Sequence, residues 1–323
     1  MRRLIAAALL CLATVAEAQQ TVWRMPTEYP ASAMPGEGIA TFAAALTERA
    51  GSRLSIEPSY DAKLGIRSAD LPRAIADGRT EAGDAFAATL GGLDPVFGLA
   101  ALPFAAPSIA EAKRLTDLAR PLYARALAAN GMRLLYTTPW PPSGIWMKEP
   151  LSSVAILRGL AIRTYDPGST AVFARAGARA FNISFADAQA RVKDGSVNAV
   201  LSSGDGGAGR RLWEQLPHFA EINYVVPLSF GVVSQMAYDA LDQDLRRAVD
   251  DAAAATEARQ WRTIETRLEE NYGRMRQNGV VIQTTIDPGV AAALKEAAQE
   301  TVAEWRRAAG PEAAALLERF GHR

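Results

Sequence analysis

Two hydrophobic patterns take turns along this chain. Residues 21–25 alternate apolar and polar, which predicts a first strand, and 39–50 carry apolar residues three and four apart before Gly51, which predicts a helix. Strands at 54–57 and 81–86 follow, with a short helix at 68–77 between them. At 108–130 the helical pattern opens on Ser108, has Glu111 three residues on and stops before Gly131. A second run repeats the alternation: strands at 132–138, 160–165, 180–183 and 197–202, helices at 169–176 and 184–194, and a β-like run at 224–235. Residues 242–277 read as almost unbroken helix, about 50 Å long at 1.5 Å per residue. A strand at 280–285 and helices at 288–309 and 311–320 finish the chain. Strand–helix alternation of this kind predicts an α/β fold with helices covering a parallel or mixed sheet.

The first residues break the pattern. Arg2 and Arg3 precede an apolar run from Leu4 to Val15 and a small-x-small site, Ala16-Glu17-Ala18, so 1–18 read as an export signal peptide. The run is too short to cross a bilayer. The single cysteine, Cys11, lies inside it, so after cleavage no disulfide, thiol nucleophile or thiolate metal site is expected. With 35 basic and 35 acidic residues in 323, the net charge is zero, which argues against a nucleic-acid partner. At 49% hydrophobic, the chain has enough apolar surface for a sizeable core without covalent staples.

Three motifs then stand out in order: Asp77-Gly-Arg-Thr-Glu81, Leu157-Arg-Gly-Leu-Ala-Ile-Arg163, and Asp194-Gly-Ser-Val-Asn198 after the helix opened by Ser184. The second resembles an "LKGLKIR" strand and the third a "DGxVD" turn. Together with the long late helix and the Glu304-Trp305 pair, they make the whole mature chain resemble the solute-binding proteins of tripartite ATP-independent periplasmic (TRAP) transporters, the DctP type. The resemblance implies a two-lobed clamp with crossing hinge strands, a bracing helix, a small carboxylate ligand and membrane permease subunits as partners. It also implies a periplasmic location, no cofactor and no enzymatic role. Lobe I is expected at 19–143 plus 231–275 and lobe II at 144–230 plus 276–323, with the crossings near 144–148 and 227–233. A monomer is expected; pairing through the long helix stays open.

The resemblance assigns the ligand carboxylate to Arg163, and the chemistry is sound in its own right. A guanidinium fork offers a carboxylate two parallel charge-assisted hydrogen bonds, and Arg163 ends an apolar strand, where pockets of α/β sheets gather. Trp140, Trp146 and Tyr165 flank the same region and are expected as aromatic walls. Where the family carries an asparagine in a "QENP"-like turn, this chain has Ser202-Ser203-Gly204-Asp205, so Ser203 and Asp205 are the expected polar contacts. Glu28, Tyr29 and Asp84, which follow the first and third strands, are the expected contacts from lobe I.

Two rivals belong beside this reading. Gly204-x-Gly206-x-x-Gly209 formally matches a dinucleotide fingerprint and would suggest a secreted NAD-dependent oxidoreductase. The helix after it is cut short by Pro217, and no acidic residue stands at the position that would hold a ribose. An ABC-type solute-binding protein shares the clamp principle but not the long helix. With only His218 and His322, no histidine pair has metal spacing, and there is no Gly-x-Ser-x-Gly elbow.

Overall fold

The computed structural model describes residues 20–321; the predicted signal peptide at 1–18, Cys11 and His322 lie outside the described residues. β1 (Thr21–Pro26) and β2 (Leu54–Ser59) pair in parallel, joined by α1 (Met34–Ala50). α2 (Leu71–Ala76), β3 (Ala82–Phe86), α3 (Ile109–Ala129) and β4 (Met132–Pro139) complete the first pass through lobe I. The Ser108 hydroxyl accepts the Glu111 N–H at 3.2 Å and the Glu111 carboxylate accepts the Ser108 N–H at 3.2 Å, so α3 starts on the capping box its sequence predicts.

Lobe II is a six-stranded mixed sheet in the order β11 (Val281–Gln283), β9 (His218–Ala220), β5 (Ser143–Met147), β8 (Ala199–Ser203), β6 (Ala161–Thr164), β7 (Arg179–Asn182). Its strands and helices run β5 (Ser143–Met147), α4 (Val154–Gly159), β6 (Ala161–Thr164), α5 (Pro167–Arg175), β7 (Arg179–Asn182), α6 (Phe185–Lys193), β8 (Ala199–Ser203), α7 (Gly204–Gly209) and β9 (His218–Ala220). Side chains alternate faces along each strand. Ile145 and Met147 of β5 and Ala199 and Leu201 of β8 enter one core, whereas Trp146 and Val200 enter the core on the other face. The chain then returns to lobe I. β10 (Leu228–Ser234) inserts between β3 and β4, antiparallel to both, and α8 (Gln235–Asp239) follows.

The lobes exchange strands earlier than 144–148 and 227–233. Those residues form β5 and β10, which lie inside a lobe, and the crossings fall at 139–143 and 224–228. They run side by side: the Trp140 N–H donates to Pro227 O at 2.9 Å and the Ser143 N–H to Val225 O at 2.8 Å. Uniform burial along both strands hides the change of lobe in the hydrophobic pattern.

α9 (Gln243–Gln277) is the expected brace, packing on α1 and β4 of lobe I and on α7 and β11 (Val281–Gln283) of lobe II. α10 (Pro288–Ala308) covers α4 and α5 in lobe II. The assignment of all of 276–323 to lobe II is overturned by α11 (Gly310–Gly321). A left-handed Gly310 (φ +81°) redirects the chain, and Ala313, Leu316, Leu317 and Phe320 bury their apolar stripe in the lobe I core beneath α3. The Arg114 guanidinium lies 4.4 Å from the Phe320 ring centroid, and Arg125 pairs with Glu312 at 2.6 Å.

α1 begins at Met34, five residues before its expected start. Its N-cap position, Ala33, has no side chain to cap with. The cap comes from Asp205 at the start of α7, whose Oδ2 accepts the Met34 N–H at 2.8 Å from the other lobe.

Candidate functional site

A small chamber lies between the lobes, at the carboxyl ends of β6 and β8 and the start of β5, walled by Tyr29, Phe86, Trp140, Tyr165, Phe185 and Pro227. It opens into a wider cleft that shares Arg163, Tyr29, Phe86, Tyr165 and Phe185 with it and adds Glu28 and Arg67.

Arg163 is the one cation in the wall of the inner chamber among the described residues, and it is 3% exposed. Its Nε donates to Ile183 O at 2.7 Å and its Nη1 to Leu201 O at 3.1 Å. Those bonds lock the guanidinium plane and leave Nη2 without an acceptor among the described residues. Burial pulls its pKa down, and Tyr29, Glu28, Tyr165 and Asp166 push it back up. An arginine stays charged under such opposition, so the chamber holds a fixed positive charge with a free donor. Such a group can pair with an anion.

Aromatic rings form the rest of the wall. Tyr29 meets Trp140 edge-on at 4.7 Å between centroids, Phe86 meets Tyr165 at 5.0 Å, and the Arg163 guanidinium carbon lies 5.8 Å from the Phe185 ring centroid. The Trp140 indole N–H is spent on the Ser229 hydroxyl at 3.1 Å, so Trp140 offers the chamber only its apolar face. The Tyr165 and Ser143 hydroxyls are buried without a hydrogen-bond partner among the described residues. Burial pushes the Tyr165 phenol up, which keeps it a neutral donor. Ser203 accepts the Gly206 N–H at 3.1 Å as the cap of α7, and its own hydroxyl proton remains available to the chamber.

Arg163, Tyr165, Trp140, Tyr29 and Ser203 therefore converge on one chamber, and Glu28 stands in the adjoining cleft. Three expectations fail. Trp146 packs on the opposite face of the sheet against Phe219, with its indole N–H on Ser203 O at 3.2 Å. Its neighbour in sequence, Ile145, took the face toward the chamber side. Asp205 is fully buried and consumed by structure: besides capping α1 it pairs with Arg267 at 2.8 Å and accepts from Asn271 at 3.0 Å. Asp84 is buried on β3 opposite Gly231, outside both cavity walls, and accepts from Thr27 at 3.2 Å. Burial raises its carboxyl to about 8.

The glycine run also finds its explanation. A Cβ on Gly207 would fall 2.1 Å from the Trp146 indole and one on Gly206 2.7 Å from the Ser202 hydroxyl, so the spacing serves close packing of α7. Phe86, Ser143, Phe185, Ser202 and Pro227 complete the chamber and were missed, because only topology brings them there.

Two ion pairs span the cleft. Arg67 of lobe I grips Asp187 of α6 in a fork, Nε to Oδ2 at 3.1 Å and Nη2 to Oδ1 at 2.8 Å. Arg210 of lobe II pairs with Asp61 at 3.2 Å and donates to the Glu28 carbonyl at 3.1 Å. The lobes are closed on each other.

Two α/β lobes, paired crossings, a bracing helix and an anion seat enclosed between the lobes define a solute-capturing clamp. The chain belongs to the bacterial extracellular solute-binding protein family 7, DctP, whose profile matches residues 26–308. It is similar to DctP7 of Bordetella pertussis, an extracytoplasmic solute receptor binding pyroglutamic acid, at 27% identity and TM-score 0.89, over 93% of this chain and 99% of that one. DctP6 of the same organism, which also binds pyroglutamic acid, is 26% identical with TM-score 0.88, over 94% and 100%. A TRAP periplasmic solute-binding protein from a Sulfitobacter species with bound β-D-galacturonate shares the fold at 18% identity and TM-score 0.84, over 93% and 99%. No curated protein matches the chain. Family and neighbours are solute-binding proteins, and neither the oxidoreductase nor the ABC-type reading gains support.

Proposed function

We propose that this receptor captures a compact monocarboxylic acid of the pyroglutamate type. The single observation behind the reading is the Arg163 guanidinium, pinned by two carbonyls in an aromatic chamber with its Nη2 donors to spare. One cation in the inner wall suits one carboxylate; a second carboxylate would be buried without a partner, at several kcal/mol. The two relatives that bind pyroglutamic acid are the ones above 25% identity among those named, which supports the same choice.

In this reading Tyr165, Trp140 and Tyr29 cover the ring of the ligand, while Ser203 and Ser143 offer hydroxyls to its carbonyl. Residues 1–18 direct export, and the clamp acts outside the cytoplasm as a monomer that hands its ligand to membrane permease subunits. A thermal-shift series tests it: pyroglutamate at 100 times its Kd should add about 2.7 kcal/mol of apparent stability by mass action, with galacturonate and dicarboxylates inert. A larger shift with a dicarboxylate than with pyroglutamate would refute it.

A further inference from the structure

Glu28 is 3% exposed, and its Oε2 has no hydrogen-bond partner among the described residues. Buried acceptors without donors are rare, and each calls for a missing partner. The residue is not loose: Arg210 of lobe II holds its carbonyl at 3.1 Å, so closure itself sets its position. Its carboxylate lines the cleft alongside Arg163, Tyr165 and Phe86. Burial raises its carboxyl above the usual range, against the Arg163 charge and the neighbouring Tyr29 and Ser68 groups, which pull it back down. The cleft therefore presents two buried polar groups, a guanidinium from one lobe and a carboxyl from the other. Arg163 asks the ligand for an anion, and Glu28 asks it for a donor.

We infer that Glu28 is the specificity residue of the site, accepting a hydrogen bond from an N–H that the ligand carries beside its carboxylate. The inference rests on the pyroglutamate-type reading above and narrows it to lactams and related N–H acids. An acid of the same shape without that N–H would leave Glu28 buried and unpaired, which is how polar sites reject near-isosteres.

Calorimetry on the purified chain decides the matter with two acids: pyroglutamate, and 5-oxotetrahydrofuran-2-carboxylate, in which a ring oxygen replaces the N–H. Wild type should bind the lactone on the order of ten- to a hundredfold more weakly, the cost of leaving a buried acceptor unpaired. Glu28→Met should bring the two acids within a few-fold of each other, mainly by weakening the lactam, a collapse that a merely structural role would not produce. Equal wild-type affinities overturn the role of Glu28 while leaving the ligand reading intact, and need no variant to fold. A discrimination ratio that survives in a folded Glu28→Met protein overturns it as well. Failure of both acids to bind overturns the ligand reading together with this inference.

Discussion

Asp187→Asn probes the closed state without touching the ligand. The Arg67–Asp187 fork joins opposite lobes, so it exists only when they are shut. Its side chains are 39% and 51% exposed. At that exposure solvent screens the attraction, and the paired geometry places it near the top of the range for surface ion pairs, about 1 kcal/mol. Removing that much from the closed state shifts the closure equilibrium about fivefold. Where the open form dominates without ligand, apparent affinity falls by the same factor, and the loss should appear in the off-rate, since the anion seat is unchanged. Asparagine keeps an oxygen for the Ser184 hydroxyl, which donates to Asp187 at 2.6 Å, so α6 should remain capped. Stopped-flow dissociation and calorimetry at about 0.1 M and 1 M salt supply the readout. Shortening the screening length from about 10 Å to 3 Å should shrink the gap between variant and wild type. An off-rate equal to wild type at low salt, or a difference indifferent to salt, would refute the latch.

Other consequences are as direct. Arg163→Ala should weaken pyroglutamate binding by about 2–4 kcal/mol in calorimetry and also lower Tm, because Ile183 O and Leu201 O lose their donors; unchanged affinity would remove Arg163 from the site. Gly207→Ala drives a methyl into the Trp146 indole and should cost about 1–3 kcal/mol in urea unfolding, with Trp146→Phe restoring part of it; a neutral Gly207→Ala would refute the packing account. Asp84, raised from 3.8 to about 8, binds a proton in the folded state that the unfolded chain has released between those values. Stability should therefore fall with rising pH across that window, by up to about 1.4 kcal/mol per unit. Asp84→Asn removes this titration, so its stability relative to wild type should rise from pH 5 to pH 8, and a constant difference would show that Asp84 is already ionised.

What could be read from sequence was what neighbouring residues decide. Ser108 with Glu111 and Ser184 with Asp187 mark helix starts through contacts three residues away, and both stand as caps in the structure. The brace at 243–277 follows from a long helical pattern. Arg163 was singled out by the resemblance of its strand motif, and Tyr165 by its place just beyond that strand. The start of α1 was not, since its cap is a carboxylate 171 residues away, and the glycines and prolines before position 39 imitate a turn. Asp205 and Trp146 failed for the same reason. An acid in a glycine-rich loop and a ring on a strand each have two destinations, and only the assembled partners, Arg267 and Phe219, decide between them.

The shared cap at Met34 also bears on how the molecule can move. Asp205 belongs to one half, the helix it terminates belongs to the other, and Arg267 and Asn271 of the brace bind the same carboxylate. Tearing it away would strand a buried charge at about 3–5 kcal/mol, more than thermal motion readily supplies. A swing of the halves about that point would keep this charge paired and would open the cleft at the rim where Arg67 meets Asp187.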